Sequence, residues 1–310
     1  MSMLQFKSWV EKVDPYTILR ITLYKALFIA TAIVYVYWFF HPQNIISYVT
    51  PFMVLFYYES PIVSTFEKKK RLLLFMGGSL LFVNVTFDLV YPFKGIFFFY
   101  SLLVFMVLHQ MVLKYFYAFK NLSLLIISSG ALVLSTSPPA NFQVSYDMIY
   151  SMSLSLITVM VCLQIVPNRY FQVWNRTLQH YIDYLIADID ASMQDGHYSA
   201  IQDEITRFEM VRNYQQLVEK KYLLPTFRVA TYIRNIQLSL DNLFYEEKNE
   251  AFWSGVRMHL VAFKKHLAEG SPYRPQSAYL AIDTVLQQFV MDCLSKVFTH
   301  WNDLCVEKNN

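Results

Sequence analysis

Six apolar stretches fill the first 167 of 310 residues, and the connections between them alternate between cation-rich and cation-poor. A hydrocarbon layer about 30 Å thick is crossed by roughly 20 helical residues. Residues 20–40, 46–60, 72–93, 95–113, 122–137 and 148–167 are therefore read as six transmembrane helices. The second and fifth runs are short, and the second carries Pro51 and closes on Glu59. Within the others the only charges are Arg20, Lys25 and Asp88.

The connections set an orientation. One side collects Lys7, Lys12, Arg20, the Lys-Lys-Lys-Arg run at 68–71, Lys114, Lys120, Arg169 and Arg176; the other holds Lys94. Short-loop bias of this kind places the cationic side in the cytoplasm, and with it both the N-terminus and the tail. Aromatic residues gather where the runs should meet headgroups: Tyr37, Trp38, Phe39 and Phe40 at the end of the first, Tyr57 and Tyr58 near the end of the second. Amphipathic rings favour that depth. A cleavable signal peptide is not expected, because the first run is span-length, follows a charged segment and lacks a small-residue cleavage site.

The tail, 168–310, reads as helix. Apolar positions recur at helical spacing in 169–194 (Phe171, Trp174, Leu178, Tyr181, Ile182, Leu185), after which Asp195-Gly196-His197 signals a turn. Further helices are expected at 200–222, ended by Pro225, and at 227–247, 251–269 (ended by Gly270) and 278–305. No stretch alternates with period two long enough to argue a strand. The expected fold is all-α: six transmembrane helices in 1–167, then a cytoplasmic helical bundle in 168–310.

Composition and motifs exclude more than they assign. Net charge is only +3 and concentrates at the inner interface, where it favours anionic lipid rather than nucleic acid. Cys162, Cys293 and Cys305 lack metal-ligand spacing and read as reduced thiols. The seven glycines form no phosphate-cradling loop, and neither a zinc helix nor a nucleophile elbow is present. No enzyme, cofactor or metal is expected. The informative residues are polar ones inside the apolar runs, which are costly to bury without a partner or a task. Asn84 and Asp88 share a helix face, Tyr100, His109 and Gln110 lie in the fourth run, and Lys25 lies roughly 8 Å inside Arg20. Two readings compete for each: a place on a substrate path, or local helix–helix bonding and snorkelling. Gly77 and Gly78 permit close helix approach. Pro51 breaks its helix and frees backbone groups to line a cavity.

Several sequence marks occur together in the first half: Leu19-Arg20-Ile21, His41-Pro42, Glu59-Ser60-Pro61, the basic stretch Thr65-Phe66-Glu67-Lys68-Lys69-Lys70-Arg71, and Gly77-Gly78. This pattern, over most of residues 15–190, resembles the fusaric acid resistance and aromatic acid exporter superfamily, to which plant aluminium-activated malate transporters are also similar. The resemblance implies an inner (plasma) membrane, multi-pass efflux permease for small organic anions such as aromatic or hydroxylated carboxylates. Relatives that carry the unit twice imply a homodimer here. For Pro61, Arg71, Gly77 and Gly78 it implies an architectural role. An anion channel and a non-transporting scaffold that recruits cytoplasmic partners are the alternatives.

Overall fold

The computed structural model describes residues 9–10, 12–60, 62–136, 142–167, 169–194, 201–241, 250–275 and 282–309. Among them every regular element is helical and none is a strand. The chain divides into two compact units, Ile18–Pro167 on one hand and Met1–Thr17 with Asn168–Asn310 on the other. The N-terminal segment thus groups with the tail rather than with the apolar runs. The Pro15 carbonyl accepts from Arg176 Nε at 3.3 Å, and His180 Nε2 lies 3.0 Å from the same oxygen. The Tyr16 ring stands edge-on to His180.

The apolar unit runs α1 (Ile18–Phe40), α2 (Ile45–Val49), a 3-10 turn (Thr50–Met53), α3 (Val54–Tyr58), α4 (Phe66–Val90), α5 (Lys94–Tyr115), α6 (Leu122–Thr136) and α7 (Phe142–Ile165). Four of these, α1, α4, α5 and α7, are long and apolar enough to cross a membrane. At 1.5 Å per residue they extend about 33–38 Å. Two of the six expected spans are shorter. The second run is divided into α2, the 3-10 turn and α3, because buried Pro51 at the start of that turn lacks the N–H a continuing α-helix needs. Helix α6 covers 15 described residues, about 22 Å; residue 137 and Pro61 lie outside the described residues.

Helix α4 is the interior element of this unit and packs on α5, α6 and α7, while α7 also packs on α1 and α2. Its buried stripe, Leu72, Leu73, Met76, Leu80, Val83 and Phe87, follows helical spacing. By contrast α1 and α5 turn large apolar side chains outward, among them Trp38, Phe39, Phe99 and Leu103, all at least 60 % exposed. A helix satisfies its own backbone polar groups, so such a face is stable against lipid. Glycines set two of the close packings: a Cβ on Gly77 would meet Leu156 Cδ1 at 2.7 Å, and one on Gly130 would meet Val83 Cγ1 at 2.7 Å. Gly78 faces open space.

The helix ends follow local chemistry. Thr65 caps α4 by accepting from the Lys68 N–H at 3.2 Å, and Asn44 caps α2 from Ser47 at 3.0 Å. Helix α1 stops at His41, whose φ of 46° is left-handed and whose N–H bonds the Tyr37 carbonyl, with Pro42 next.

The second unit holds α8 (Tyr170–Gln194), α9 (Ile201–Gln215), α10 (Lys220–Asp241), α11 (Glu250–Glu269) and α12 (Val285–Asn309). Helix α8 packs against α9, α10 and α11, and α10 lies along α12. Trp174, Tyr181, Phe252, Phe263 and Trp301 are essentially fully buried within it. The sequence-expected helix 200–222 ends earlier, at Gln215, and Pro225 lies inside α10 rather than terminating anything. Only the Lys221 carbonyl loses its i+4 donor there, and the Thr226 hydroxyl bonds the next two carbonyls at 2.8 and 2.9 Å. The expected starts and ends at 195–200, 242–249 and 276–281 fall outside the described residues, but the last helix, expected over 278–305, begins only at Val285, residues 282–284 being non-helical, and runs on to Asn309. Helix α12 opens at a capping pair: the Gln287 N–H donates to Thr284 Oγ1 at 3.2 Å, and Gln287 Oε1 accepts from the Asp283 N–H at 2.8 Å. Helix α11 closes at Gly270, φ 68°, with a Ser271 N–H to His266 carbonyl bond that completes a Schellman turn.

Candidate functional site

Two ammonium groups converge on one carboxylate inside the apolar unit. Lys25 Nζ on α1 lies 2.6 Å from Glu59 Oε1, and Lys69 Nζ on α4 lies 3.4 Å from Glu59 Oε2. Lys69 also donates to the Tyr58 carbonyl at 2.9 Å and stands over the Tyr58 ring at 4.7 Å. The three side chains are between 1 and 8 % exposed. Charges so deeply withdrawn are tolerated only in mutual contact, because each would otherwise lose its hydration without return.

Local structure explains why they meet. Thr65 starts α4 at Phe66, which places Lys69 on the first turn, three and four residues before Leu72 and Leu73 on the buried stripe. Glu59 is the C-cap residue of α3, at the end of the divided second run. Lys25 sits on the buried line Ile21, Lys25, Ile29, Ile33 of α1. Of this trio the sequence singled out Lys25 as a path residue; Glu59 read as a span terminus and Lys69 as part of a loop. The missed signal was helical phase: Lys69, Leu73, Met76 and Leu80 keep one face, so the charge belongs to the stripe rather than to the loop.

The other singled-out polar residues go elsewhere. Asp88 accepts from the Ser145 hydroxyl, joining α4 to α7. Asn84 donates to the Leu80 carbonyl at 2.7 Å, and its Oδ1 has no hydrogen-bond partner among the described residues. His109 Nδ1 lies 3.1 Å from Ser123 Oγ, joining α5 to α6, and its ring stacks on Phe105. Tyr100 packs against Phe87, and Gln110 is exposed on α5. Lys25, Asp88 and His109 therefore take three different partners on three different helix pairs and do not form one constellation.

Three clefts are described. One of ≈ 460 Å³ opens at the start of α4 and the end of α5 and carries Lys68 and Arg71 with aromatic walls. A second of ≈ 510 Å³, between α4 and α5, is apolar apart from Ser79 and Tyr100 and includes Gly78. Lys25, Asn84, Asp88 and His109 line neither. The third, ≈ 410 Å³, lies in the tail beside His259, Tyr273 and Arg274. There His259 Nδ1 is 3.1 Å from the Tyr273 hydroxyl, and burial pushes the imidazole below its ordinary value and the phenol above its own. Among the described residues no cluster of His, Cys, Asp and Glu is arranged to hold a metal ion. No protein-family model, curated protein or solved structure matches the chain.

Proposed function

We propose that the chain is a multi-pass permease of the inner (plasma) membrane that moves small organic anions out of the cell, with its cation-rich side and its helical tail in the cytoplasm. The observation that carries this reading is the Lys25–Glu59–Lys69 cluster. Its two ammonium groups are set out as a receptor for a carboxylate, and the chain's own Glu59 fills the position. A substrate carboxylate of aromatic or hydroxylated type satisfies the same donors when Glu59 turns away. An inside-negative potential favours anion exit by about 2.3 kcal/mol per charge per 100 mV, so no nucleotide site is needed. The six-span layout, in which the divided second run and α6 complete the crossings, and the pairing of two copies belong to this same reading.

The test is efflux from vesicles that contain the purified protein and labelled 4-hydroxybenzoate or malate. Efflux faster than from protein-free vesicles is expected, and Lys25→Met slows it about tenfold or more, the scale of one charge-assisted hydrogen bond. Flux equal to protein-free vesicles with both anions contradicts transport. A scaffold role is favoured by one observation: Asp88 and His109 each close a local helix–helix bond rather than facing a described cleft. That role predicts no flux with an intact, folded protein and a tail that retains a cytoplasmic partner on purification.

A further inference from the structure

The cleft at the start of α4 has a composition that the carboxylate cluster does not use. Lys68 and Arg71, one turn apart on α4, stand at its rim, and Phe75, Phe116, Tyr117 and Phe119 build its walls. Phe75 and Phe116 meet with ring centroids 5.3 Å apart, which makes a continuous apolar surface beneath the two cations. Arg71 Nη2 is 2.5 Å from Glu67 Oε1, on a pair whose side chains are more than 70 % exposed. A guanidinium has five N–H donors, so that contact leaves others for a second acceptor. Lys69, between them, turns the other way, to Glu59 and Tyr58.

We infer that this cleft holds the headgroup of an anionic phospholipid, the phosphodiester on Lys68 and Arg71 and an acyl chain along Phe75 and Phe116. Depth is the first argument. The first turn of α4 and the last turn of α5 are the places where two span-length helices leave the hydrocarbon on the cation-rich side, the level of the cytoplasmic headgroups. The second is charge: basic pockets between membrane helices on that side suit anionic headgroups. The third is shape. The cleft is bordered by apolar residues left open, Ile62 at 53 %, Tyr115 at 63 % and Tyr117 at 76 % exposure, so its occupant must itself carry an apolar portion in contact with the bilayer. A small inorganic anion has none. This inference rests on the membrane reading but not on transport.

The experiment is native mass spectrometry of the full-length protein released from detergent containing equal amounts of phosphatidylglycerol and phosphatidylcholine. Preferential retention of phosphatidylglycerol is expected, at roughly thirtyfold for two interfacial cations. Lys68→Gln with Arg71→Gln abolishes the preference, and both positions are exposed, so the fold should survive, as size-exclusion elution will verify. Lys70→Gln removes a charge from the same run but lines no part of the cleft, and it keeps the preference. Equal retention of the two lipids overturns the inference, as does a Lys70→Gln variant that loses as much as the double variant. Displacement of phosphatidylglycerol by millimolar 4-hydroxybenzoate in the wild type, but not in the double variant, also overturns it by making the cleft a soluble-anion site. A protein that stays monodisperse in aqueous buffer without detergent instead defeats the membrane reading itself.

Discussion

The apolar unit and the tail are both helical, yet they handle charge in opposite ways. In Ile18–Pro167 the central ion pairs are sealed: Glu59 and its two lysines expose less than a tenth of their side chains. In the tail the pairs stay wet, as in Arg257–Asp190 at 2.6 Å, where the side chains are 44 and 37 % exposed. The apolar unit gains its tightest contacts from small residues, Gly77 and Gly130, whereas the tail fills its interior with Trp174, Phe263 and Trp301. On the proposed membrane reading the tail lies in water and can expel apolar surface to drive packing. Between helices that face lipid, as proposed for the first unit, that force is absent, so close backbone approach and buried polar contacts carry more of the specificity. A charge kept inside the first unit is thus a stronger sign of a task than any of the many on the second.

The widest gap between the units is expected at their carboxylates. Glu59→Gln strands two buried ammonium groups and should cost about 3–5 kcal/mol, read as thermal unfolding of the detergent-solubilised protein. Asp190→Asn, its wet counterpart, should cost less than about 1 kcal/mol. Equal losses would erase the contrast. Next come the glycines. Gly77→Leu and Gly130→Leu force atoms into contacts under 3 Å and should each cost about 1–3 kcal/mol, while Gly78→Leu, with nothing near it, should leave stability almost unchanged. A Gly78 variant as damaged as the Gly77 variant would mean that the glycines serve the backbone rather than the approach.

The smallest effect is a pH slope confined to the tail. Burial holds His259 below its ordinary 6.5, so the unfolded chain takes up a proton there before the folded one does. Stability should fall as pH drops from about 6.5 towards the lowered value, and His259→Phe should flatten that slope. Asp188, raised above 3.8 by burial, slopes in the other direction at lower pH, since the folded state then holds the extra proton. Unfolding followed by Trp fluorescence against pH, with and without His259→Phe, reads both; an unchanged slope in the variant assigns it to another group.

Much of this was legible in the chain. Long apolar runs fixed α1, α4, α5 and α7 because period and length say the same thing when a helix must bridge lipid. The turn at Gly270 was legible because its left-handed backbone suits glycine. Pro225 misled, because near the start of a helix a proline removes only one bond, here to the carbonyl of exposed Lys221, and the helix runs on past that loss. The Thr284-Val285-Leu286-Gln287 capping pattern at α12 was present and overlooked. At the candidate site one member of three was legible. Lys25 lies inside a run and draws notice at once, but Glu59 closes its run and Lys69 precedes the next, places where charge is ordinary. Their pairing depends on how α3 and α4 pack, and that is tertiary information no single stretch carries.

Whether Ile18–Pro167 is threaded through a bilayer with its cationic side inward decides the account most directly. With Cys162, Cys293 and Cys305 replaced by alanine, single cysteines at Lys94 and Lys70 are offered to a membrane-impermeant thiol reagent in intact cells. The account predicts labelling of Lys94→Cys from outside, and of Lys70→Cys only after the cells are lysed. Labelling of both positions before lysis, or of Lys70→Cys alone, would contradict it.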